Sequence, residues 1–571
     1  MKLPLIAPES GIEGVGSNNW VLAGSRTASG KPLLANDPHL KLSAPALWYF
    51  ARLEAPGIKV AGATLPGLPM VVLGQNEHIA WGFTNTGPDV QDLYLEQVKA
   101  DDPLSYRIPD GWARFETQAD VIRVKGKPDV PITLRRTRHG PVISDAGMID
   151  DVLGANGKSG YVLAMRWTAL DADAGSTAVS LAMQRANSVD AFVAATAGFV
   201  APMQNMAVAD RQGRIGFVAP GRVPLRKPEN DLRGLVPSPG WDARYDWAGW
   251  VPADQTPREF DPARGWVATA NQRVHAADYA HFITSEWVVP YRQQRIEQML
   301  EARPQHSIED LAAMQADVMS LSTVRLLPWL RNAKSEHVLA EQARQQLAGF
   351  DGTMHADNPA PLIFWAWSRH LTELVFADDL GSALWQRVLG RNFRDALEGV
   401  LLRNDSAWCD DIKTPQVVET CQQMSDLALT RALEELQFRH GSAVSRWRWG
   451  SAHESRSEHR PFSRVPALAR FFELRTRVGG DTFTVNVSRV GLKPDATTGE
   501  LYLSEHAASL RALYDLGDPA QSRFMHSSGQ SGIFFSPLYR NFVSPWAQVG
   551  YVPVWAVGAP AHSLVITPHK P

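Results

Sequence analysis

The spacing of hydrophobic and polar residues changes twice along the chain. From 18 to about 290, short β-branched and aromatic runs are separated by Gly, Pro, Asn and Asp, a pattern typical of strands and turns. From 291 to 450, apolar residues recur at helical spacing, and Ser307 followed by Asp310 resembles a helix capping box. Strand patterns then return, for example at 482–489. This order predicts an α+β protein in which a helical insertion interrupts strands that complete the same sheets.

Composition excludes several classes of protein. With 57 Lys and Arg against 60 Asp and Glu in 571 residues, the net charge of −3 gives no general attraction to nucleic acid or to an anionic membrane surface. Hydrophobic residues make up 44% and charged residues 20%, as in folded proteins and unlike disordered ones. No apolar stretch approaches the about 18 residues of a membrane-spanning helix. We therefore expect no nucleic-acid partner and no membrane span.

The chain has two cysteines, Cys409 and Cys421, and no recognisable export signal near residue 1. The cysteines are either two free thiols or one loop-closing disulfide, and the sequence leaves both alternatives open. A disulfide would indicate an oxidising compartment, whereas the plain start of the chain by itself suggests a cytoplasmic protein.

A serine lies directly before the first predicted strand, in Gly16-Ser17-Asn18-Asn19-Trp20, while zinc-protease and GxSxG signatures are absent. By composition alone, Ser17 is a turn serine. The alternative is a nucleophile that becomes N-terminal when the chain cleaves itself between Gly16 and Ser17. Its own α-amino group, with a pKa of ~8, would then be the nearby base that a serine hydroxyl needs.

Blocks of residues along nearly the whole chain resemble the penicillin acylase (penicillin amidase) family of N-terminal-nucleophile hydrolases, in that family's order. They are GSNNW at 16–20, NDPHL at 36–40, WGFTN at 81–85, DVQD at 89–92, RTRHGP at 136–141, ATAN at 268–271, PYR at 290–292, GGDTFTVNV at 479–487 and GQSG at 529–532. Together they favour the nucleophile interpretation of Ser17. The resemblance implies a four-layer αββα sandwich over 17–571, about 291–450 being the helical insertion, with 1–16 as the end of a spacer peptide that maturation removes.

The resemblance also implies a catalytic set. Ser17 would carry the acyl group, and its freed amine would act as the base. Asn271 matches the side-chain donor, and Asn85 the backbone donor, that bind the oxyanion of a tetrahedral intermediate. Arg292 matches the arginine that orients the oxyanion asparagine. His39 matches a residue beside the nucleophile's amine, and we assign it to orientation of the site and not to the base.

The block at 89–92 resembles the calcium segment of the family. Two carboxylates flanking a backbone carbonyl suit Ca²⁺, although an Asp-rich turn has the same composition. The ligands that the resemblance implies are Asp89, Gln91, Asp92 and, through its backbone carbonyl, Leu232. A further acid, Glu286 or Asp278, is not fixed because the spacing there departs from the family's. We predict structural calcium and no organic cofactor.

The positions that match the family's acyl pocket differ in side-chain type. Members that prefer a phenylacetyl group have bulky aromatic residues where this chain has Leu40, Leu73 and Met206. Gln204 and Ser180 fall near further pocket positions. Aliphatic and thioether side chains replace ring stacking by a flexible apolar lining. We therefore predict an aliphatic or extended acyl group and poor activity on phenylacetyl amides.

The function implied by the resemblance is hydrolysis of the N-acyl bond of a small molecule through an acyl-enzyme. Candidate substrates are a β-lactam with its side chain, an acyl-homoserine lactone or a lipopeptide. The implied partner is a smaller α chain of the same precursor, which is not in this sequence. The complete precursor is then expected to be periplasmic or secreted. The alternative is a family member that never matures and acts as a non-catalytic binding module.

Overall fold

The computed structural model describes residues 16–146, 160–171, 173, 175–391, 393–555 and 562–567. The predicted spacer peptide at 1–16 therefore lies outside the described residues, except for Gly16.

Two seven-stranded antiparallel sheets form the centre of the molecule. Sheet I contains, in spatial order, Trp266–Thr269, Ser17–Leu22, Leu33–Lys41, Leu510–Asp515, Arg523–His526 and Val552–Pro553, with His506–Ala508 paired to the end of the third. Sheet II contains Arg258–Phe260, Ile215–Val218, Gln204–Asp210, Ile79–Asn85, Val71–Asn76, Ile58–Thr64 and Tyr49–Ala55. Strands from before and after the helical segment thus complete one sheet.

Smaller sheets extend from this centre. One contains Tyr161–Trp167, Gln91–Lys99, Asp102–Ile108 and Gly111–Arg114, with Ser238–Pro239 paired to the second, and another contains Glu116–Ile122, Val130–Thr137 and Gly140–Pro141. Two further pairs are Pro224–Arg226 with Trp247–Trp250, and Glu454–Ser457 with Leu474–Arg477.

The helices of the described residues lie mostly between 291 and 452. They are α1 (Ser176–Met183), α2 (Val189–Ala195), α3 (Tyr291–Glu301), α4 (Ile308–Gln315), α5 (Leu321–Asn332), α6 (Ala340–Leu347), α7 (Ala360–Val388), α8 (Arg394–Arg403), α9 (Ser406–Cys409), α10 (Cys421–His440), α11 (Trp449–Ala452), α12 (Pro466–Phe472) and α13 (Val543–Ala547). Among the described residues, no helix is long and apolar enough to cross a membrane.

Sheet I is buried on both faces because each face is covered by another layer. In strand Ser17–Leu22, Val21 packs in the apolar cluster between the two sheets, whereas Trp20 packs on the opposite face. Helices α3 and α4 cover that opposite face through Ile296 and Leu311. Side chains alternate between two buried faces, so all six residues of this strand are buried, including the polar Asn18 and Asn19.

Sheet II completes the layered arrangement. Ala207 and Ala209 face the cluster between the sheets, while Val208 faces outward. Helix α2 covers the outer face through Val189 and Phe192. The order of layers is helix, sheet, sheet, helix.

Two local features of the helical and C-terminal segments follow from side-chain chemistry. Ser307 caps α4, and its side chain and that of Asp310 form the reciprocal capping box that the sequence predicts. The strand predicted at 482–489 is wrong: this segment is a loop. Asp481 accepts a hydrogen bond from the backbone of Phe483, 2.7 Å, and such local bonds favour turns over strand pairing.

Cys409 and Cys421 form a disulfide. The bond joins the end of α9 to the first residue of α10 within the apolar core of the helical segment. Of the two alternatives that the sequence leaves open, the structure therefore has the loop-closing bond.

Candidate active site

Ser17 is the first residue of a central strand of sheet I and pairs with Pro38 on the neighbouring strand. Only 6% of its surface is exposed. Because side chains alternate along a strand, Ser17 lies on the same face as Asn19 and Val21, toward sheet II. Asn19 bridges the two sheets there by donating to the carbonyl of Gly82, 2.7 Å. The hydroxyl of Ser17 is therefore directed into the space between the sheets.

Asn271 contacts the backbone nitrogen of Ser17. Its Oδ1 accepts a hydrogen bond from the Ser17 N–H at 2.6 Å, and its Nδ2 donates to the carbonyl of Asn85 at 2.7 Å. Asn271 follows an edge strand of sheet I and has a φ of 69°, in the left-handed region that asparagine tolerates better than most residues. Asn85 ends a strand of sheet II, so one side chain joins the ends of both sheets.

Arg292 fixes the orientation of these groups. It is buried near the start of α3, where Nη1 donates to the Ser17 carbonyl at 2.9 Å and to Asn18 Oδ1 at 2.6 Å. Nη2 donates to Asn271 Oδ1 at 3.0 Å. Burial lowers the pKa of Arg292 to about 10, so it stays charged at neutral pH. A guanidinium has no acceptor, so the oxygen of the Asn271 amide must face it.

The backbone of Gly16 packs directly against the side chains of Asn271 and Arg292. Its carbonyl oxygen accepts hydrogen bonds from the Ser17 hydroxyl, 2.7 Å, and from the backbone N–H of His39, 2.9 Å. A Cβ at residue 16 would lie 2.2 Å from Asn271 Oδ1 and 2.7 Å from Arg292 Nη2. No side chain larger than hydrogen fits there unless the asparagine moves.

The imidazole of His39 lies on the other face of sheet I. Its Nε2 is 2.7 Å from Asp37 Oδ2, and the same carboxylate oxygen accepts a hydrogen bond from Asn18 Nδ2 at 2.8 Å. Burial raises the pKa of Asp37 to about 8 and, together with Arg292, lowers the pKa of His39. Both side chains are therefore uncharged near neutral pH. The backbone N–H of His39 donates to the Gly16 carbonyl, whereas its ring belongs to a buried hydrogen-bond network on the opposite face of sheet I.

Several members of that network are not among the predicted site residues. Asn18 donates to the carbonyl of Val485, 2.8 Å, in the loop where a strand had been predicted. Gln315 donates to Asp37 Oδ1 at 3.2 Å and accepts from the Tyr551 hydroxyl at 2.7 Å. Asn18 and Asp37 lie inside the blocks GSNNW and NDPHL, so the family resemblance of those blocks could have indicated that both residues belong to the site. Nothing in the sequence pattern marked Gln315 or Tyr551.

Two of the predicted pocket residues lie between the sheets. Leu73 is buried in the intersheet cluster, and Leu40 packs against it. Trp48 and Phe50, which are not among the predicted pocket residues, belong to the same cluster. Trp48 donates through Nε1 to Ser509 Oγ, 2.9 Å. The apolar space therefore contains aromatic rings as well as aliphatic side chains.

Met206 does not lie with them, which corrects its assignment to the pocket. It pairs with Phe83 across sheet II and packs in the outer cluster with Trp81 and Phe192 of α2. Its neighbour Ala207 is the residue that faces the intersheet cluster. Side chains alternate along a strand, so a displacement of one position transfers a residue to the other face.

The other two predicted pocket residues, Gln204 and Ser180, lie outside the intersheet cluster. Gln204 is partly exposed and pairs with Asn85 across sheet II, its Nε2 lying 3.5 Å from the Asn85 Oδ1. Ser180 lies on α1 and donates to the carbonyl of Ser176, 2.9 Å. The Gln204 contact reaches Asn85, whose carbonyl accepts from Asn271, whereas the Ser180 contact does not join Ser180 to the Ser17 cluster.

The predicted calcium ligands do not fit a calcium ion in this arrangement. Asp92 is paired through both carboxylate oxygens with the guanidinium of Arg226, and Asp89 contacts the same guanidinium. The carbonyl of Leu232 accepts a hydrogen bond from Leu235. The other predicted ligands Gln91, Glu286 and Asp278 are exposed, and burial together with the nearby Asp92 and Glu286 carboxylates raises the pKa of Asp89 to about 6 in spite of Arg226. In the part of the chain that the structure describes, no cluster of three or more His, Cys, Asp or Glu residues is suited to a metal.

Comparison with known proteins agrees with the family that the motif blocks resemble. A profile of the penicillin amidase family matches residues 3–559. The chain belongs to the penicillin amidase family. Acyl-homoserine lactone acylase QuiP from Pseudomonas aeruginosa is 32% identical to this penicillin amidase chain over 572 residues, covering 94% of the chain and 66% of that protein. Penicillin acylase 2 proenzyme from Pseudomonas sp. is 32% identical over 548 residues, covering 95% and 67%. The penicillin amidase chain thus spans about two thirds of these curated relatives' length.

A solved structure has the same fold. Thermostable penicillin G acylase from Alcaligenes faecalis superposes with a TM-score of 0.71 at 20% identity, covering 97% of this penicillin amidase chain and 100% of that one. At that identity the likeness concerns the fold alone. It confirms the predicted α+β architecture of the N-terminal-nucleophile hydrolase type.

Proposed function

We propose that this chain is the catalytic part of an N-acyl amide hydrolase that forms an acyl-enzyme on Ser17. The observation that supports this most directly is the contact between Asn271 Oδ1 and the Ser17 nitrogen, held in place by Arg292. The names of the relatives, acyl-homoserine lactone acylase and penicillin acylase, support the same class of reaction.

The first step of the proposal is self-cleavage at Gly16–Ser17. The Ser17 Oγ attacks the Gly16 carbonyl carbon, the carbon–nitrogen bond breaks, and the hydroxyl proton passes to the nitrogen that leaves. Water then hydrolyses the ester, which gives a Gly16 carboxylate and a free Ser17 amine. The hydroxyl contact with the Gly16 oxygen and the backbone N–H of His39 on that oxygen support this step, because a donor stabilises the developing negative charge.

The second step is hydrolysis of the substrate amide. The freed amine, retained by Asn271 Oδ1, accepts the Ser17 hydroxyl proton as Oγ attacks the acyl carbonyl. The Asn271 Nδ2 and the backbone N–H of Asn85 stabilise the oxyanion, and the amine product leaves with a proton. Water then releases the acid. Losing one such donor typically lowers the rate by about 10²–10³.

We further propose an aliphatic or extended acyl group, such as that of an acyl-homoserine lactone, and a smaller chain that completes the pocket. Leu40 and Leu73 support the acyl preference, although Trp48 and Phe50 enclose the same space. The greater length of the relatives supports a second chain. The disulfide between Cys409 and Cys421 supports an oxidising compartment such as the periplasm.

Intact mass spectrometry of the expressed protein tests the first step. We expect a product that begins at Ser17, and no cleavage in Ser17→Ala. Hydrolysis of octanoyl and phenylacetyl p-nitroanilides by the matured protein tests the second. Persistence of an uncleaved chain that no serine-directed probe acylates would support the non-catalytic binding module, and a clear phenylacetyl preference would contradict the acyl assignment.

A further inference from the structure

The segment that resembles a calcium site already contains a cation, the guanidinium of Arg226. Its Nη2 lies 2.5 Å from Asp92 Oδ1, and its Nε lies 3.0 Å from Asp92 Oδ2. The side chains are 7% and 2% exposed, respectively. This is the two-pronged geometry in which an arginine binds a carboxylate most strongly.

The same guanidinium reaches the second predicted calcium ligand. Arg226 Nη2 lies 3.4 Å from Asp89 Oδ1 and 3.3 Å from the Asp89 carbonyl oxygen. The indole Nε1 of Trp247 donates to Asp92 Oδ2 at 2.8 Å. Calcium requires oxygen lone pairs at about 2.3–2.6 Å. Here N–H donors contact both oxygens of Asp92, one on Oδ1 and two on Oδ2.

The backbone around the ion pair leaves little space for a larger coordination sphere. Gly234 has a φ of 77°, and a Cβ there would lie 2.2 Å from Asp92 Oδ1 and 2.8 Å from Arg226 Nη2. The Leu232 carbonyl is already used by the N–H of Leu235, 2.9 Å. A calcium ion needs roughly six to eight oxygens, and a side chain at this position or a second cation beside Asp92 would crowd the space that such a sphere requires.

The position of Arg226 is built into the local fold. It ends the strand Pro224–Arg226, which pairs with the strand that carries Trp247. The register shifts between Leu225 and Arg226, and such a bulge redirects a side chain. The strand pair thus supplies both donors to Asp92, the guanidinium and the indole.

We propose that Arg226 is a resident cation that takes the place of a metal ion at this segment, so that folding of this chain does not depend on calcium. A guanidinium that bridges two carboxylates neutralises part of their charge. A calcium ion added beside it would meet a like charge within a few ångströms, where repulsion is strong in a buried site.

The first test uses the wild-type protein. The calcium content of the full chain is measured by mass spectrometry of the elements on the protein as purified, before any chelator is added. Its melting temperature is then recorded after dialysis against a chelator and again with added calcium. We expect no stoichiometric calcium and the same melting temperature in both conditions. One calcium ion per chain together with a lower melting temperature after chelation would overturn the proposal.

The second test removes the resident cation. Arg226→Ala leaves two carboxylates without their partner, so we expect the melting temperature to fall by on the order of 5 °C or more and added calcium to restore part of that loss. Arg226→Lys keeps a positive charge and should gain no calcium response. Arg222→Ala is the matched control, because Arg222 also bridges two aspartates, Asp171 and Asp173, outside this segment.

A folded Arg226→Ala protein that calcium does not stabilise would overturn the proposal, as would an equal calcium response in Arg222→Ala. If Arg226→Ala does not fold, the chelation result on the wild-type protein decides the matter alone. None of these measurements depends on Ser17 chemistry, so failure here is distinct from failure of the proposed hydrolase function.

Discussion

Replacement of Gly16 by alanine tests the geometry of self-cleavage most directly. The added Cβ would lie 2.2 Å from Asn271 Oδ1, whereas van der Waals contact begins at about 3.5 Å. The asparagine must therefore withdraw by roughly 1 Å. That movement breaks its contacts with the Ser17 nitrogen, 2.6 Å, and with Arg292, 3.0 Å.

The magnitude follows from those two hydrogen bonds. A neutral hydrogen bond contributes about 1 kcal/mol and one to a charged group about 1.5–3 kcal/mol, so the cost is about 3 kcal/mol. If the transition state of self-cleavage needs both bonds, the rate falls about 100-fold. The matured protein begins at Ser17 and no longer contains residue 16, so its turnover number should be unchanged.

The assay is a time course of cleavage followed by intact mass, with hydrolysis of an acyl p-nitroanilide per mole of cleaved protein. Gly349→Ala is the matched control, because that glycine has no atom within 4 Å of an added Cβ. Cleavage of Gly16→Ala at the wild-type rate would refute the reasoning. A lower turnover number in fully cleaved Gly16→Ala would show that the damage lies in the fold and not in maturation.

Three further predictions concern groups around the strand and the helical segment. Arg292→Lys loses the planar fork that makes three hydrogen bonds, so kcat/KM on an acyl p-nitroanilide should fall about 10- to 100-fold. Asp37 has a folded pKa of about 8 against ~3.9 when unfolded, so the native state binds the extra proton between those values and its stability declines as pH rises toward 8. Asp37→Asn cannot titrate, and its melting temperature should fall less than the wild type's between about pH 5 and 9. Replacing Cys409 and Cys421, twelve residues apart, by serine should lower the free energy of unfolding by about 2–4 kcal/mol in denaturant titrations.

Each of these has an outcome that contradicts it. A kcat/KM for Arg292→Lys equal to the wild type's would mean that Asn271 needs no guanidinium. Parallel pH profiles for Asp37→Asn and wild type would mean that Asp37 is not held protonated. Identical denaturation curves with and without the cysteine pair would mean that the bond does not restrict the unfolded chain.

Much of the architecture was predictable because it depends on local patterns. Short strand signals and helical spacing are visible within about ten residues, and Ser307 with Asp310 marks a helix start from four positions. The loop at 482–489 was mistaken for a strand because its apolar residues look the same in either state. The segment forms a loop in which Phe483 donates a hydrogen bond to Asp481, and a local bond of this kind competes with strand pairing.

The candidate active site was likewise predictable from the sequence only in part. The GSNNW block made Ser17 a candidate, but its environment depends on Asn271, 254 residues away. Met206 was placed on the wrong face of sheet II because sequence alignment fixes a position along a strand only to within a residue or so. One residue of displacement exchanges the two faces of a strand, and only the paired register shows that Ala207 faces the intersheet space.

The sequence by itself determined the family, the α+β architecture and the serine that begins the first strand. Only the tertiary structure decided which partners each charged group has. Asp92 looked like a calcium ligand from its neighbours in the chain, yet it pairs with Arg226, 134 residues away. Electrostatic partners are chosen by distance in space and by burial, and a local motif contains neither. The same carboxylate therefore suits a metal ion or an arginine, and the fold selects between them.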